Sequence, residues 1–348
     1  MNKKTIRTWM RPGRSVPALV LASAMVVTLG TGASATTNPP ITTLNRTAIA
    51  DIPDTYITSD GVTRRVGSVN GLYIVGDSDA YVLKSDHSGT DQTGWATFSH
   101  INDFNTPNAV KADYTVRLKG STEPYSLGHA NGLAYYRTPG TDYLEVGSFY
   151  VPTLKSPGDP QVAQINNQGE ITKLFNARKG TSNKKIASIA YRGDGTWIVG
   201  TANESIPDPN DSNLIRRPYY IATIVGDYFE LGNKFFVPTT TTFNIGQDIA
   251  YNPEKDQILI PVWDGKNTVG TATGLKNRII FATLGTVTNN KVYTPVRWAD
   301  LTVPASAATL FEFEGIALDS NGKLFVASNI VHPDGVTYID RIHKLTGQ

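Results

Sequence analysis

Asn131-Gly-Leu-Ala-Tyr135, Ser188-Ile-Ala-Tyr191, Asp248-Ile-Ala-Tyr251 and Glu314-Gly-Ile-Ala-Leu318 are four writings of one phrase, and Asn70-Gly-Leu-Tyr-Ile74 is a degenerate fifth. Each opens on a small polar or acidic residue. It then passes through small and aliphatic residues and closes on an aromatic or aliphatic side chain. A turn and a second apolar run follow. The copies stand about sixty residues apart, and self-similarity at a fixed period marks a repeat architecture. Around them, Gln257-Ile-Leu-Ile-Pro-Val262 and Lys323-Leu-Phe-Val-Ala-Ser328 read as strands. Asp194-Gly195 and Asn321-Gly322 lie between apolar runs, where tight hairpin turns are expected. Residues 305–310 form the one stretch with helical character.

Each copy continues into further strand-like runs, and four antiparallel strands per unit make a propeller blade. The last copy is short: after Glu314 come only two more strand-like runs before the chain ends. Spare strand-like sequence precedes the first copy, in residues 41–57. The expected fold is therefore all-β, a five-bladed β-propeller closed by an N-terminal strand that completes the last blade. Such closure removes open sheet edges. A six-bladed ring, with a divergent blade in residues 77–125, is the alternative. A β-sandwich pair or a solenoid fits the even spacing and the truncated last copy less well.

Residues 1–35 read as an export signal. Lys3, Lys4, Arg7, Arg11 and Arg14 form a basic start, residues 16–29 are uncharged and apolar, and Ala33-Ser34-Ala35 fits a small-x-small cleavage site. Residues 36–348 are then a single propeller domain, secreted and extracellular, with no integral membrane segment once the signal is removed. The whole chain carries a net charge of +2, and losing those five basic residues brings it to −3. A slightly acidic chain gives no electrostatic case for nucleic acid. There is no cysteine, which excludes disulfides, thiolate nucleophiles and cysteine-ligated zinc.

In a propeller the first strand of each blade lines the axial channel. The repeated polar position should therefore place Asn70, Asn131, Ser188, Asp248 and Glu314 in a ring near one mouth, with His129, Gln247 and Glu312 beside them. Carboxylates and carboxamides converging in a narrow space suit a hard cation such as Ca²⁺, with Asp248, Glu314 and Asn131 as ligands. They equally suit the hydroxyls of a sugar, or ordered water alone. Asp248 and Glu314 should repel one another unless a cation or a shared proton intervenes. His129, the one histidine beside a repeat motif, is the candidate acid–base residue. His87, His100, His332 and His343 form no ligand spacing. Asp208-Pro-Asn-Asp211-Ser-Asn213 lacks the central Gly and closing Glu of a calcium loop. The Asp, Gly and Trp of Ser85 to Trp95 have the wrong spacing for a sialidase Asp-box. No nucleophile elbow, zincin motif or phosphate loop occurs. Of the dispersed tryptophans, Trp197 reads as core, and exposed ones among Trp95, Trp263 and Trp298 would stack on sugars.

Glu314-Gly-Ile-Ala-Leu-Asp-Ser-Asn-Gly-Lys-Leu-Phe-Val-Ala327 resembles blades of secreted propellers of the lactonase and calcium-dependent nucleotidase type. That resemblance implies an axial calcium, with Glu314, Asp248, Ser188 and Asn131 matching in kind and place. His129-Ala130-Asn131 and the Asn-Gly blade starts resemble helveticin J-type bacteriocins, although an acidic residue stands there in that family. Three functions follow as expectations. The first is a secreted protein binding an extracellular glycan or bacterial cell-surface component at its axial face. The others are a helveticin J-like antibacterial protein and a calcium-dependent hydrolase or lactonase.

Overall fold

The computed structural model describes residues 39–347 apart from 53–54, 58–62, 86–94, 105–109, 138–146, 203, 244, 265–274, 305 and 335–337. The expected export segment, His87 and most of the Asp-box-like stretch lie outside the described residues.

Among the described residues all regular structure is β-strand, arranged as a propeller. The first blade runs Ser68–Val75, Asp79–Ser85, Ala96–Ile101, Val110–Thr115 from the axis outward. The second runs Ala134–Tyr136, Ser148–Pro152, Val162–Ile165, Glu170–Lys179. The third runs Ile186–Gly193, Thr196–Thr201, Leu214–Val225, Tyr228–Thr240. In the fourth, Ile245–Gly246 and Ala250–Asn252 share the inner position before Gln257–Trp263, Leu275–Thr283 and Arg297–Val303. The fifth is Leu310–Leu318, Leu324–Val331, Tyr338–Thr346 and, outermost, Asn45–Ile52. Of the stretch 77–125, where a sixth blade was the alternative, the described strands Asp79–Ser85, Ala96–Ile101 and Val110–Thr115 belong to the first blade and Arg117–Leu118 pairs with the outer strand of the second. Residues 306–310, expected to be helical, form a turn and the start of a strand.

The core is not one mass but five apolar seams, each between neighbouring blades. Leu133, Phe149 and Val151 of the second blade meet Leu83 and Phe98 of the first. Ala317, Phe325 and Ile342 of the fifth meet Leu72, Val82 and Ile101 of the first. Successive strand residues point to opposite faces, so every blade feeds the seam on either side. Trp197 is buried in the seam between the second and third blades, as expected. The inner strands come very close at the axis. A Cβ on Gly315 would stand 2.8 Å from the Leu72 amide nitrogen, and one on Gly71 would stand 2.8 Å from the Leu133 Cβ. Glycine follows the polar residue in those copies because nothing larger fits.

The N-terminal segment does more than was expected of it. Asn45–Ile52 lies antiparallel to Tyr338–Thr346 and completes the fifth blade. Ile41–Thr43, just before it, instead pairs in parallel with Arg297–Val303 on the outer edge of the fourth. Thr55–Ile57 belongs to neither blade and pairs with Thr63–Arg65.

His343 sits on the third strand of the fifth blade, fully buried, its ring 5.6 Å from Phe311, with no hydrogen-bond partner for either nitrogen. Burial, helped by Arg46 and Arg341, pushes its pKa down to about 3. The folded protein therefore keeps it neutral, whereas the unfolded chain protonates it near its ordinary value of about 6.5. Its contribution to stability is complete above about pH 6.5 and is lost as the pH falls toward the folded value. At pH 5 the loss is about 2 kcal/mol. His343→Leu should remove that part of the slope and raise the urea midpoint at pH 5 more than at pH 7.5. Equal shifts at the two pH values would contradict this account.

Candidate functional site

The repeated polar residue falls where the inner strands lose their regular ladder. The register slips around Asn70 and Glu314, and at Ala187 just before Ser188. The fourth blade's inner strand is interrupted between Gly246 and Ala250, across Gln247 and Asp248, and the second blade's ladder begins only at Ala134, beyond Asn131. A bulge or break re-aims a side chain that the pleat would send sideways into a seam. The apolar residues on either side of the break still reach their seams.

The polar side chains meet there, and they are engaged with one another. Asn131 Nδ2 donates to Gln247 Oε1 at 2.9 Å, and Gln247 Nε2 donates to Glu314 Oε1 at 3.4 Å. This chain crosses the axis through the second, fourth and fifth blades. Asp248 makes a second crossing. Its Oδ1 accepts from the Ile249 N–H at 2.7 Å and its Oδ2 from the Ile316 N–H at 3.3 Å, while the Leu133 N–H also bonds the carboxylate. One side chain thus ties three blades. Gly132, at φ +96°, has no room for a Cβ because the Asp248 carboxylate fills that space. Burial pushes the Asp248 carboxyl well above the usual carboxylate range, against the opposing pull of those three N–H groups.

The like charges are relieved by raised carboxyl pKa values, one of the expected alternatives, with Glu312 as the partner of Glu314. Glu314, 3 % exposed, is hydrogen-bonded to Glu312 on the same strand, and burial, then Glu312, Asp340 and Asp248, drive its pKa well upward. Glu312 is raised by burial. A proton shared by Glu312 and Glu314 explains both. A carboxyl raised in this way is favourable below its unfolded pKa, and that contribution is lost as the pH rises through the folded value. Glu312→Gln should therefore raise the melting temperature at pH 8 more than at pH 5. A variant less stable at both would remove the shared proton from the argument.

Of the other expected site residues, Asn70 is held by Ser85. Asn70 Oδ1 accepts from the Ser85 N–H at 2.9 Å and from its hydroxyl at 2.7 Å, and that hydroxyl also reaches the His129 carbonyl. His129 lies half-buried in the loop before the second blade. Ser188 is buried against Gly200. Calcium fits this set poorly. The Asp248 oxygens face three N–H donors, Glu314 accepts from Gln247, and no group of three His, Asp or Glu side chains among the described residues is placed to hold a metal. Asp208 and Asp211 use their oxygens on the Asn210 and Asn213 N–H groups, forming a turn rather than a calcium loop. Trp298 is buried beneath the Arg278 guanidinium, so it offers no face to a sugar.

Open space begins one or two residues further along each inner strand. A cavity of about 330 Å³ lies on the axis, bounded by the remainder of all five inner strands. Its walls include Tyr73, Tyr135, Tyr191, Tyr251 and Leu318, and between them Ala134, Ala190, Ala250 and Ala317 leave the room. In the first blade Tyr73 replaces that alanine and packs on Tyr135 at 4.9 Å between ring centroids. The Tyr251 hydroxyl donates to Asp256 at 2.6 Å and the Tyr191 hydroxyl accepts from the Gly195 N–H at 3.2 Å, which fixes those two rings. Asn252, Glu254, Asp319 and Ser320 form the polar rim. Leu133, Ile249 and Ile316, whose N–H groups bond Asp248, also line the cavity. The cup residues were present in the repeated phrase from the start, as its second half.

No family model matches this chain, and no curated protein does. Among solved structures it is similar to a member of the DUF4221 family from Bacteroides vulgatus, at 9% identity and a TM-score of 0.41, over 88% of this chain and 99% of that one. It is also similar to a GH43_12 protein retrieved from a capybara gut metagenome, at 13% identity and a TM-score of 0.44, over 87% of this chain and 57% of that one. The GH43 protein BlXynB from Bacillus licheniformis matches at 12% identity and a TM-score of 0.42, over 87% of this chain and 54% of that one. This chain thus spans little more than half the length of the two GH43 proteins. Among the described residues no helix is long and apolar enough to cross a membrane.

Proposed function

We propose that this chain is an extracellular binding protein whose axial cup takes a glycan or another component of a bacterial cell surface. The observation that carries the reading is the cup itself: tyrosine and alanine walls with Asn252, Ser320, Glu254 and Asp319 at the rim. Concave apolar sites with a few convergent polar groups are the usual form of a small-molecule site. A sugar ring presents C–H faces to aromatic walls and hydroxyls to a polar rim, so the two surfaces are complementary. Secretion rests on the basic, then apolar, then small-residue order of residues 1–35.

The test uses protein recovered from the medium of a secreting host, with its N-terminus sequenced and Thr36 expected first. Cell-wall sacculi and defined oligosaccharides are then offered to the wild type, Tyr191→Ala and Ala250→Trp. Both substitutions should weaken binding about tenfold or more, the first by removing a wall and the second by filling the cup. Retained binding in both, with unchanged melting, would move the site elsewhere.

A further inference from the structure

The charge of the cup narrows the ligand class, an inference that rests on the cup being the binding site. The charged residues among its lining are Glu254 and Asp319, both acidic, and no lysine or arginine joins them. Asp319 is buried. Its Oδ1 accepts from the Asn321 and Lys323 N–H groups at 2.9 and 2.8 Å, while its Oδ2 has no hydrogen-bond partner. The nearest cation to that oxygen is the Lys323 ammonium at 3.7 Å, on a side chain that is half exposed. Two guanidinium groups stand behind the walls rather than in the lining: Arg192 bonds Asp256 at 3.3 Å, the Gly285 carbonyl at 2.9 Å and the Tyr251 hydroxyl, and Arg137 acts on the Tyr73 and Tyr135 hydroxyls. The charged groups that line the cup itself are thus both carboxylates, beside walls that include four tyrosines.

Aromatic rings attract cations through the negative potential of their faces, and several rings around one space make a cage for an ammonium group. Carboxylates at the mouth add attraction of the same sign and repel anions. We infer that the cup accepts the positively charged amine of its ligand: an amino sugar with a free ammonium group, in preference to the neutral or acidic sugar of the same size. The amine enters among the tyrosines, and the rest of the sugar meets the rim.

Paired oligosaccharides of equal length test this directly, glucosamine tetramer against N-acetylglucosamine tetramer, by calorimetry at pH 6 in low and high salt. The free amine should bind about tenfold more tightly. The combined change Glu254→Gln with Asp319→Asn should erase most of that preference. Both replacements keep an acceptor oxygen for the turn at Asp319, so folding is preserved and is checked by melting. Equal or tighter binding of the acetylated tetramer overturns the ammonium inference and leaves the glycan reading standing. Binding of both tetramers that survives Ala250→Trp overturns the cup as the site. Absence of binding by both tetramers, together with retained binding to cell-wall sacculi, also overturns the amine preference.

Discussion

Removal of residues 39–52 is expected to unfold the propeller rather than trim it. Asn45–Ile52 is the outermost strand of the fifth blade, in register with Tyr338–Thr346 from Asn45 opposite Thr346 to Ile52 opposite Asp340. The segment buries Leu44 in the seam toward the fourth blade and Ala50 and Ile52 in the seam toward the first. Fully buried aliphatic side chains contribute about 1.5–3 kcal/mol each. The segment's apolar burial is therefore worth roughly 5 kcal/mol, before the exposed edge is considered. Whole domains are stable by only about 5–15 kcal/mol. Thermal unfolding followed by circular dichroism should show loss of the cooperative transition or a fall of well over 10 °C. A truncated chain that melts like the full one would mean that the fifth blade closes without its N-terminal strand.

Much of this was legible in the sequence, for a physical reason. A blade cannot bury both its faces alone, so each copy repeats the apolar positions that meet its neighbours, and the repeat survives as spacing. The truncated last copy told where the chain must return. The site was half legible. Asn131, Gln247, Asp248 and Glu314 do converge, but convergence says nothing of what the groups do on arrival, and they bond to one another and to backbone. Asp248 reaches the Leu133 and Ile316 N–H groups only because the axis is narrow, and no pattern in the fourth copy announces it. The second half of the phrase, Ala then Tyr, reads in a sequence as ordinary core. What makes it a cup is that four alanines fall at one level around a common axis.

The second large effect is expected at Lys84, which no periodicity marks. Its ammonium lies 2.8 Å from Asp340 Oδ2, with side-chain exposures of 0 % and 1 %. The two residues stand on the first and fifth blades, so the pair spans the seam where the ring closes. Taking both charges out of water consumes most of their attraction, but removing one leaves the other buried and uncompensated. Lys84→Met should therefore cost about 3–5 kcal/mol in urea unfolding. Lys84→Met combined with Asp340→Leu should recover most of that loss, because no stranded charge remains. A double variant as unstable as Lys84→Met alone would show that packing, not charge, is what the site requires.

The strand that finishes the ring is made before the four blades that it must wait for. Synthesis delivers Ile41–Thr43 and Asn45–Ile52 ahead of the blades, yet their partners, Arg297–Val303 and Tyr338–Thr346, follow only after the first three blades. Pairings of such separation are slow to form, since a loop of almost the whole chain must close first. Four blades can collapse in order while the chain is still growing; the fifth waits for both ends. The same feature acts in reverse once the ring is shut. A fluctuation that frees one terminus meets a strand clasped by two blades at once, so opening demands that both clasps fail together. A protein that is slow to assemble is in this way made slow to come apart.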